Sequence, residues 1–278
     1  MIINADSAQV YADLSVLSAR PTDDEMAGIE HRLFGAWDGS EPCSAAAWAA
    51  RARAEIANVH AAGGVPILVG GTGLYLKVLL EGIAPISEID PVIRAAVRAM
   101  DEDTAYKLLQ IEDPQRATEL APGDRQRIAR ALEVKRSTGV TLGDWQLSKA
   151  GGIADEVNLH ALIIEPERAW LYERCDARFV TMLEAGALEE VAALLDRGLD
   201  PDLPVMRAIG VPEVAAYLAG AVGREQLIAA GQQATRNYAK RQFTWFRRQP
   251  PPEWPRVHPT WESESIDIDV PFASLLRK

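Results

Sequence analysis

The chain has little with which to cross-link itself, hold a metal or enter a membrane. Its two cysteines, Cys43 and Cys175, lie far apart with no histidine beside them, which argues against a disulfide framework and against the common zinc spacings. No stretch approaches the roughly eighteen uninterrupted apolar residues of a membrane helix, and the N-terminus lacks the basic flank and cleavage site of a secretory leader. A cytoplasmic protein with no membrane partner is the expectation. Also missing is any Gly-x-x-x-x-Gly-Lys-Ser/Thr stretch, since no lysine in the chain follows a glycine. The usual lysine-bearing phosphate loop is therefore absent from these residues. A last absence is local: from Gln226 to Pro252 there is no aspartate and no glutamate.

That last gap matters because the chain as a whole is acidic. A net charge of -11 over 278 residues would ordinarily argue against a nucleic-acid partner. Yet the acid-free stretch carries Arg236, Lys240, Arg241, Arg247 and Arg248, interleaved with Tyr238, Phe243, Trp245 and Phe246. A second cluster, Arg125, Arg127, Arg130, Lys135 and Arg136, faces only Asp124 and Glu133. Phosphate binding depends on local positive potential rather than on the average. A solvated helix face is the plain alternative for any charge run. Two clusters, one free of acids and mixed with rings able to stack on an unpaired base, favour RNA.

Apolar residues make up 48% of the chain, enough for one large core or two modest ones. Met1-Ile2-Ile3 is an apolar run leading into Asp6-Ser7-Ala8-Gln9-Val10-Tyr11, which places a carboxylate, a hydroxyl and an amide at the mouth of a buried parallel strand. In open α/β sheets that rim is where ligands bind. Ser44 caps a helix over 44–62, with Trp48, Ala52, Ile56 and Val59 at helical spacing. Val65–Val69, between two glycine pairs, reads as a second buried parallel strand in the same sheet. From about 85 to 155 the pattern is one of short amphipathic helices, including one opened by Asp90-Pro91 and one from Asp124 to Gly139. Residues 158–165 return to strand composition, so the helical block is expected as an insertion between two strands of one sheet. Long helices follow, the last over 226–248 and stopped by three prolines. The tail beyond, with Trp254 and Trp261, is poorly patterned, and no internal repeat is evident.

Two features could carry chemistry. Asp6 at a strand's carboxyl end can serve as a general base, as a metal ligand or as a cap for the following turn. The run Gly70-Gly71-Thr72-Gly73 lies between a strand and a helix, where glycines serve close backbone approach to a ligand or to the protein itself.

Five blocks, in order, are Asp6–Tyr11, Leu68–Tyr75, Gln126–Glu133, Arg207–Gly210 and Tyr238–Arg247. Together they resemble the bacterial tRNA dimethylallyltransferases over essentially the whole chain. The resemblance implies a P-loop-NTPase-like parallel sheet flanked by helices, with 1–85 and 156–278 as the α/β core. It makes 86–155 a helical insertion that contacts the anticodon arm. It implies transfer of dimethylallyl from dimethylallyl diphosphate to N6 of the adenosine just 3′ of the anticodon, with Mg²⁺ as cofactor, by a monomer. Asp6, Thr72 and Arg94 would then be catalytic. Contact with tRNA would come from Asp6, Ser7, Ala8 and Gln9; from Gln126, Arg127, Ile128, Ala129 and Arg130; and from Arg207. The last block would add Lys240, Arg241, Gln242, Phe243, Thr244, Trp245, Phe246 and Arg247.

The sequence also departs from that pattern. A strand, the phosphate loop and a helix, about 30 residues, normally precede the Asp6 block. Val211-Pro212 stands where an aromatic and a basic residue are usual, and Ser15–Pro21 differs from the usual turn before Lys-Pro. The expectation is an N-terminally shortened chain without its first strand and phosphate loop. Either Met1 is an internal methionine of a longer active protein, which is favoured, or the chain is a non-catalytic anticodon-arm binder.

Overall fold

In the computed structural model, which describes residues 1–259 and Phe272, β1 (Ile2–Asn4) is the middle strand of a parallel sheet. The tail about Trp261 lies outside the described residues. A capped turn, α1 (Asp23–Met26), precedes the strand β2 (His31–Arg32). The helix α2 (Ala45–Ala61) then crosses to β3 (Ile67–Val69), and α3 (Gly73–Glu81) follows directly. The sheet order is β2-β1-β3, with Ile2 opposite both His31 and Ile67. The sequence shows why α2 forms: Ser44 Oγ accepts from the Ala47 amide, and Trp48, Ala52, Ile56 and Val59 are all buried. Trp48 is the anchor of this layer. Its ring stacks on Tyr75 at 4.7 Å, and its Nε1 donates to the Asn4 carbonyl at 2.8 Å. A fully buried indole must find such an acceptor.

The chain divides into two compact units. One comprises Met1–Leu79 with Glu156–Lys278, the other Leu80–Asp155. The second unit holds a short antiparallel pair, β4 (Gly82–Ile83) and β5 (Ala150–Gly151). Between them come α4 (Pro91–Arg98), α5 (Glu102–Glu112), α6 (Pro114–Glu119), α7 (Arg125–Thr138) and α8 (Leu142–Gln146). Aspartates cap the first four of these helices: Asp90, Asp101, Asp113 and Asp124 each accept from an amide of the first turn. Gly139 ends α7 at φ 76°. Leu109, Ile128, Ala131 and Leu132 form the centre of this unit's core.

The first unit resumes with β6 (Ile163–Ile164), α9 (Arg168–Glu184) and α10 (Ala187–Asp196). A 3₁₀ turn over Pro204–Arg207, α11 (Val211–Leu218), α12 (Arg224–Arg248) and β7 (Arg256–Val257) complete it. The α9 and α12 helices pack closely because residue 231 is glycine; a Cβ there would lie 2.0 Å from the Phe179 ring.

Three expectations are corrected. Val65–Val69 is not a buried strand: β3 is the outer strand of the described sheet, and Val65, Ile67 and Val69 are each more than half exposed. An apolar run looks the same whether one or both of its edges are paired, so composition could not decide this. Residues 158–165 yield only the two-residue β6, which pairs in parallel with β7 rather than joining the first sheet. The stretch read as purely helical also contains β5, too short to leave a strand pattern.

Candidate active site

The rim begins with Asn4, a fully buried polar residue at the end of β1. Its Nδ2 donates to the carbonyls of Asp6 (3.0 Å) and Leu33 (3.1 Å), and its Oδ1 accepts from the Asp6 amide at 2.8 Å. Every polar group of that side chain is matched, as burial demands. The consequence is a fixed backbone at Asp6. The carboxylate then uses one oxygen to hold the next turn: Oδ1 accepts from the amides of Ala8 (2.8 Å) and Gln9 (3.3 Å). Oδ2 has no hydrogen-bond donor among the described residues. Cap and base thus divide between the two oxygens of one group.

Thr72 meets this rim from β3's side. The Ser7 amide donates to Thr72 Oγ1 at 2.9 Å, and that hydroxyl donates to Ser7 Oγ at 3.2 Å. Tyr238, on α12, has its phenol pKa pushed up by burial and by the nearby Asp6 charge. Tyr75, one turn into α3, is pushed up more strongly, chiefly by burial and then by Cys43.

The glycines between β3 and α3 serve the protein itself. A Cβ at Gly70 would lie 2.2 Å from the Ala5 carbonyl carbon, one at Gly71 2.0 Å from Gln242 Nε2, and one at Gly73 2.3 Å from the Trp245 ring. Contacts that close leave no room for a side chain. Gln242 also donates to the Gly71 carbonyl at 3.0 Å, so α12 is seated on the loop that carries Thr72.

Elsewhere the expected contact residues divide. Ser7 and Ala8 form the rim turn, but the Gln9 side chain is directed inward, its Nε2 donating to the carbonyls of Ser18 (3.0 Å) and Ala19 (2.9 Å). That loop is held in turn by Glu190, whose carboxylate accepts from the amides of Val16 (2.8 Å) and Leu17 (2.9 Å). On α12, Arg247 pairs with Glu165 at 2.9 Å and Arg236 with Asp176 at 2.6 Å. Lys240, Arg241 and Arg248 have no acidic partner among the described residues, although Arg241 lies 5.5 Å from the centre of the Tyr238 ring. Phe243 is flanked by Arg168 and Arg247, Trp245 meets Phe246 edge-on at 4.9 Å, and the Thr244 hydroxyl donates back to the Lys240 carbonyl. Arg207, exposed, reaches Asp202 at 3.7 Å.

In the helical unit, Gln126 and Arg127 are exposed, with Arg127 3.5 Å from Asp124. Arg130 is 3.9 Å from the buried Glu133, which also accepts from Arg98 at 3.0 Å. Ala129 is half-buried, and Ile128 belongs to the core with 1% exposure, so its side chain is withheld from any ligand. Arg94 is exposed on α4. The arginine cluster of α7 is thus partly neutralised from α5 as well, where Glu112 pairs with Arg136 at 2.6 Å.

Sequence reasoning missed Asn4 and Glu190. A polar residue closing an apolar strand was the available signal for Asn4, since such a side chain needs partners. Glu190 offered none: its loop lies about 175 residues earlier in the chain.

A model of the IPP transferase family matches residues 9–249. The tRNA dimethylallyltransferase of Erythrobacter litoralis is 65% identical over 92% of this chain and 81% of its own length. That of Novosphingobium aromaticivorans is 62% identical over 100% of this chain and 97% of its own. The crystal structure of the tRNA isopentenylpyrophosphate transferase of Bacillus halodurans is 31% identical and covers 99% of this chain and 85% of that one, with a TM-score of 0.67. A eukaryotic dimethylallyltransferase captured acting on tRNA gives a TM-score of 0.73 at 28% identity, covering 88% of this chain and 63% of that one. The extent of these matches lends no support to the expected N-terminal shortening. With its model matched across most of the chain and relatives of this identity, the chain belongs to the IPP transferase family.

Proposed function

We propose that this chain is a tRNA dimethylallyltransferase, moving a dimethylallyl group from dimethylallyl diphosphate to N6 of the adenosine 3′-adjacent to the anticodon. The single observation that carries the reading is the Asp6 carboxylate, with one oxygen fixed by the turn and the other without a donor among the described residues, on a rim where α12 is seated. The adenine amine is weakly nucleophilic and hardly acidic. Its proton must leave as the new bond forms, and a carboxylate within hydrogen-bond reach suffices. N6 attacks the allylic carbon, the carbon–oxygen bond to diphosphate breaks, and Asp6 Oδ2 takes the proton from nitrogen. Diphosphate departs with the bonding pair.

Thr72 is assigned to holding the reacting groups, supported by its hydroxyl beside Ser7. Arg94 is assigned the same role by the family resemblance alone. The acceptor base must leave its stack, at a cost of a few kcal/mol. Lys240, Arg241 and Arg248 on α12 and Gln126–Arg130 on the helical unit offset it by gripping the surrounding phosphates. Protein in the cytoplasm, acting as a monomer on a P-loop-like α/β core, completes the reading; the parallel β2-β1-β3 order supports the core assignment. No helix among the described residues is long and apolar enough to cross a membrane.

Mg²⁺ is implied by the family. Such an ion is usually held by one or two carboxylates together with substrate phosphates. Among the described residues no cluster of three potential ligands forms, and Asp6 Oδ1 and Thr72 Oγ1 are already hydrogen-bonded. These residues do not by themselves compose a magnesium site, and no step above passes through the ion.

The test is transfer of labelled dimethylallyl to unmodified tRNA by the 278-residue chain, with a tRNA carrying guanosine at the target position as control. Label on the first and none on the second is expected. Folded protein that binds tRNA and never transfers label would overturn the assignment.

A further inference from the structure

Glu190, on α10, has no part in the chemistry above, yet four donors of one loop converge on its carboxylate. Oε1 accepts from the Ser15 amide (2.5 Å), the Ser15 hydroxyl (2.9 Å) and the Val16 amide (2.8 Å), and Oε2 from the Leu17 amide (2.9 Å). Successive backbone amides turned toward one point make an anion-binding concavity, and here the anion is the protein's own. The loop so held continues to Ser18 and Ala19, whose carbonyls both accept from Gln9 Nε2, at 3.0 and 2.9 Å. Ala19 sits at φ 51°, in the left-handed region that favours glycine. A backbone in that state persists where its surroundings over-determine it. Gln9 in turn belongs to the rim. Its amide donates to Asp6 Oδ1 at 3.3 Å, and its carbonyl accepts from the Gly35 amide at 2.8 Å.

We infer that Glu190 is a positioning residue for Asp6, acting through the 15–19 loop and the Gln9 side chain. Every link is a hydrogen bond: the amides of Ser15, Val16 and Leu17 to Glu190, Gln9 Nε2 to the carbonyls of Ser18 and Ala19, and the Gln9 amide to Asp6. The last link is the sensitive one. Asp6 Oδ1 accepts from Ala8 at 2.8 Å and from Gln9 at 3.3 Å, and the longer bond survives only while Gln9 is held in place. With Ala8 alone the carboxylate can pivot about a single contact; the second donor fixes the direction in which Oδ2 points. The same helix also ties the start of the loop, because Arg197, seven residues on from Glu190, pairs with Asp13 and Asp38. A glutamine at 190 would turn its NH₂ group toward amides that need an acceptor, so the charge and both oxygens are required. The inference rests on the proposed prenyl transfer and deepens it.

The experiment compares Glu190→Gln with the parent in single-turnover transfer, tRNA binding, thermal melting and amide hydrogen exchange. Misplacing a reacting group slows the step, so the transfer rate should fall by about tenfold while tRNA affinity changes by less than about twofold. Exchange at the Gln9 amide should quicken by about tenfold, while exchange at the Trp48 amide in α2 stays as in the parent. In a Gln9→Ala background, where the middle link is already cut, Glu190→Gln should cost little further rate, although its effect on melting remains. Should glutamine prevent folding, Glu190→Asp keeps the charge with a shorter reach, and an intermediate rate is expected. Parent-like transfer at a lowered melting temperature would make Glu190 a structural brace only and overturn the inference. So would independent rate losses in the double variant, or a lowered tRNA affinity at unchanged rate. If the parent itself transfers nothing, the prenyltransferase reading fails, and exchange at Gln9 still decides the positioning role.

Discussion

Replacing Asp6 by asparagine separates the two duties that the structure gives this carboxylate. The amide oxygen of asparagine can stand where Oδ1 stands and accept from Ala8 and Gln9, whose amides lie 2.8 and 3.3 Å away. What asparagine cannot do is take a proton at the Oδ2 position. Positioned general bases contribute about 10²–10⁴-fold, so the single-turnover rate should fall by that factor, about 2.7–5.5 kcal/mol of barrier. Stability should change less. Exchanging a charged acceptor for a neutral one weakens two hydrogen bonds, at a cost of about 0.5–1 kcal/mol, or roughly 1–4 °C in melting temperature for a chain of this size. Asp6→Ala removes both bonds outright and leaves two amides unmatched, costing about 1–3 kcal/mol. The assays are rapid-quench transfer at saturating tRNA and donor, alongside thermal melts of all three proteins. An asparagine variant that melts like the parent and transfers within threefold of its rate would refute the division of labour argued here. A variant that fails to melt cooperatively would be replaced by Asp6→Glu, expected to retain a base but misplace it.

Other expectations follow from the same contacts. Trp48→Ala removes a fully buried ring stacked on Tyr75 and leaves the Asn4 carbonyl without its donor; a loss of about 3–5 kcal/mol is expected in denaturant titrations. Gly73→Ala drives a methyl into the Trp245 ring and should cost about 1–3 kcal/mol, lowering transfer because α12 is pushed off the Thr72 loop. Among the cations of α12, Lys240→Ala and Arg241→Ala should each reduce the slope of log affinity for tRNA against log salt by about 0.7–0.9. Arg236→Ala should leave that slope unchanged and instead destabilise the α9–α12 contact by about 1–2 kcal/mol, since its guanidinium is held by Asp176.

How much of this was legible in the sequence depended on the range of the physics involved. Helices announced themselves through caps and periodicity. Ser44 with Trp48, Ala52, Ile56 and Val59, Asp124 with Gly139, and the proline stop after 248 all specify structure within a few residues. The Asp6 and Thr72 blocks were legible for the same reason: each is a short segment at the end of a strand, and parallel pairing of β1 with β3 brings their carboxyl ends to one rim. The strands were read less well. A run such as Val65–Val69 carries no record of which edge is paired, because pairing partners lie far away in the chain.

What belonged to the sequence alone was the inventory: a carboxylate and hydroxyls poised at strand ends, an acid-free helix of cations and rings, and glycines between β3 and α3. Only the folded molecule decided how that inventory was spent. It set the glycines against Ala5, Gln242 and Trp245. It neutralised Arg236 and Arg247 with Asp176 and Glu165 while leaving Lys240 and Arg241 without an acid among the described residues. The reason is the reach of the forces: propensity and capping act over one or two turns, whereas charge pairing and close packing are settled by residues that meet only once the chain has folded.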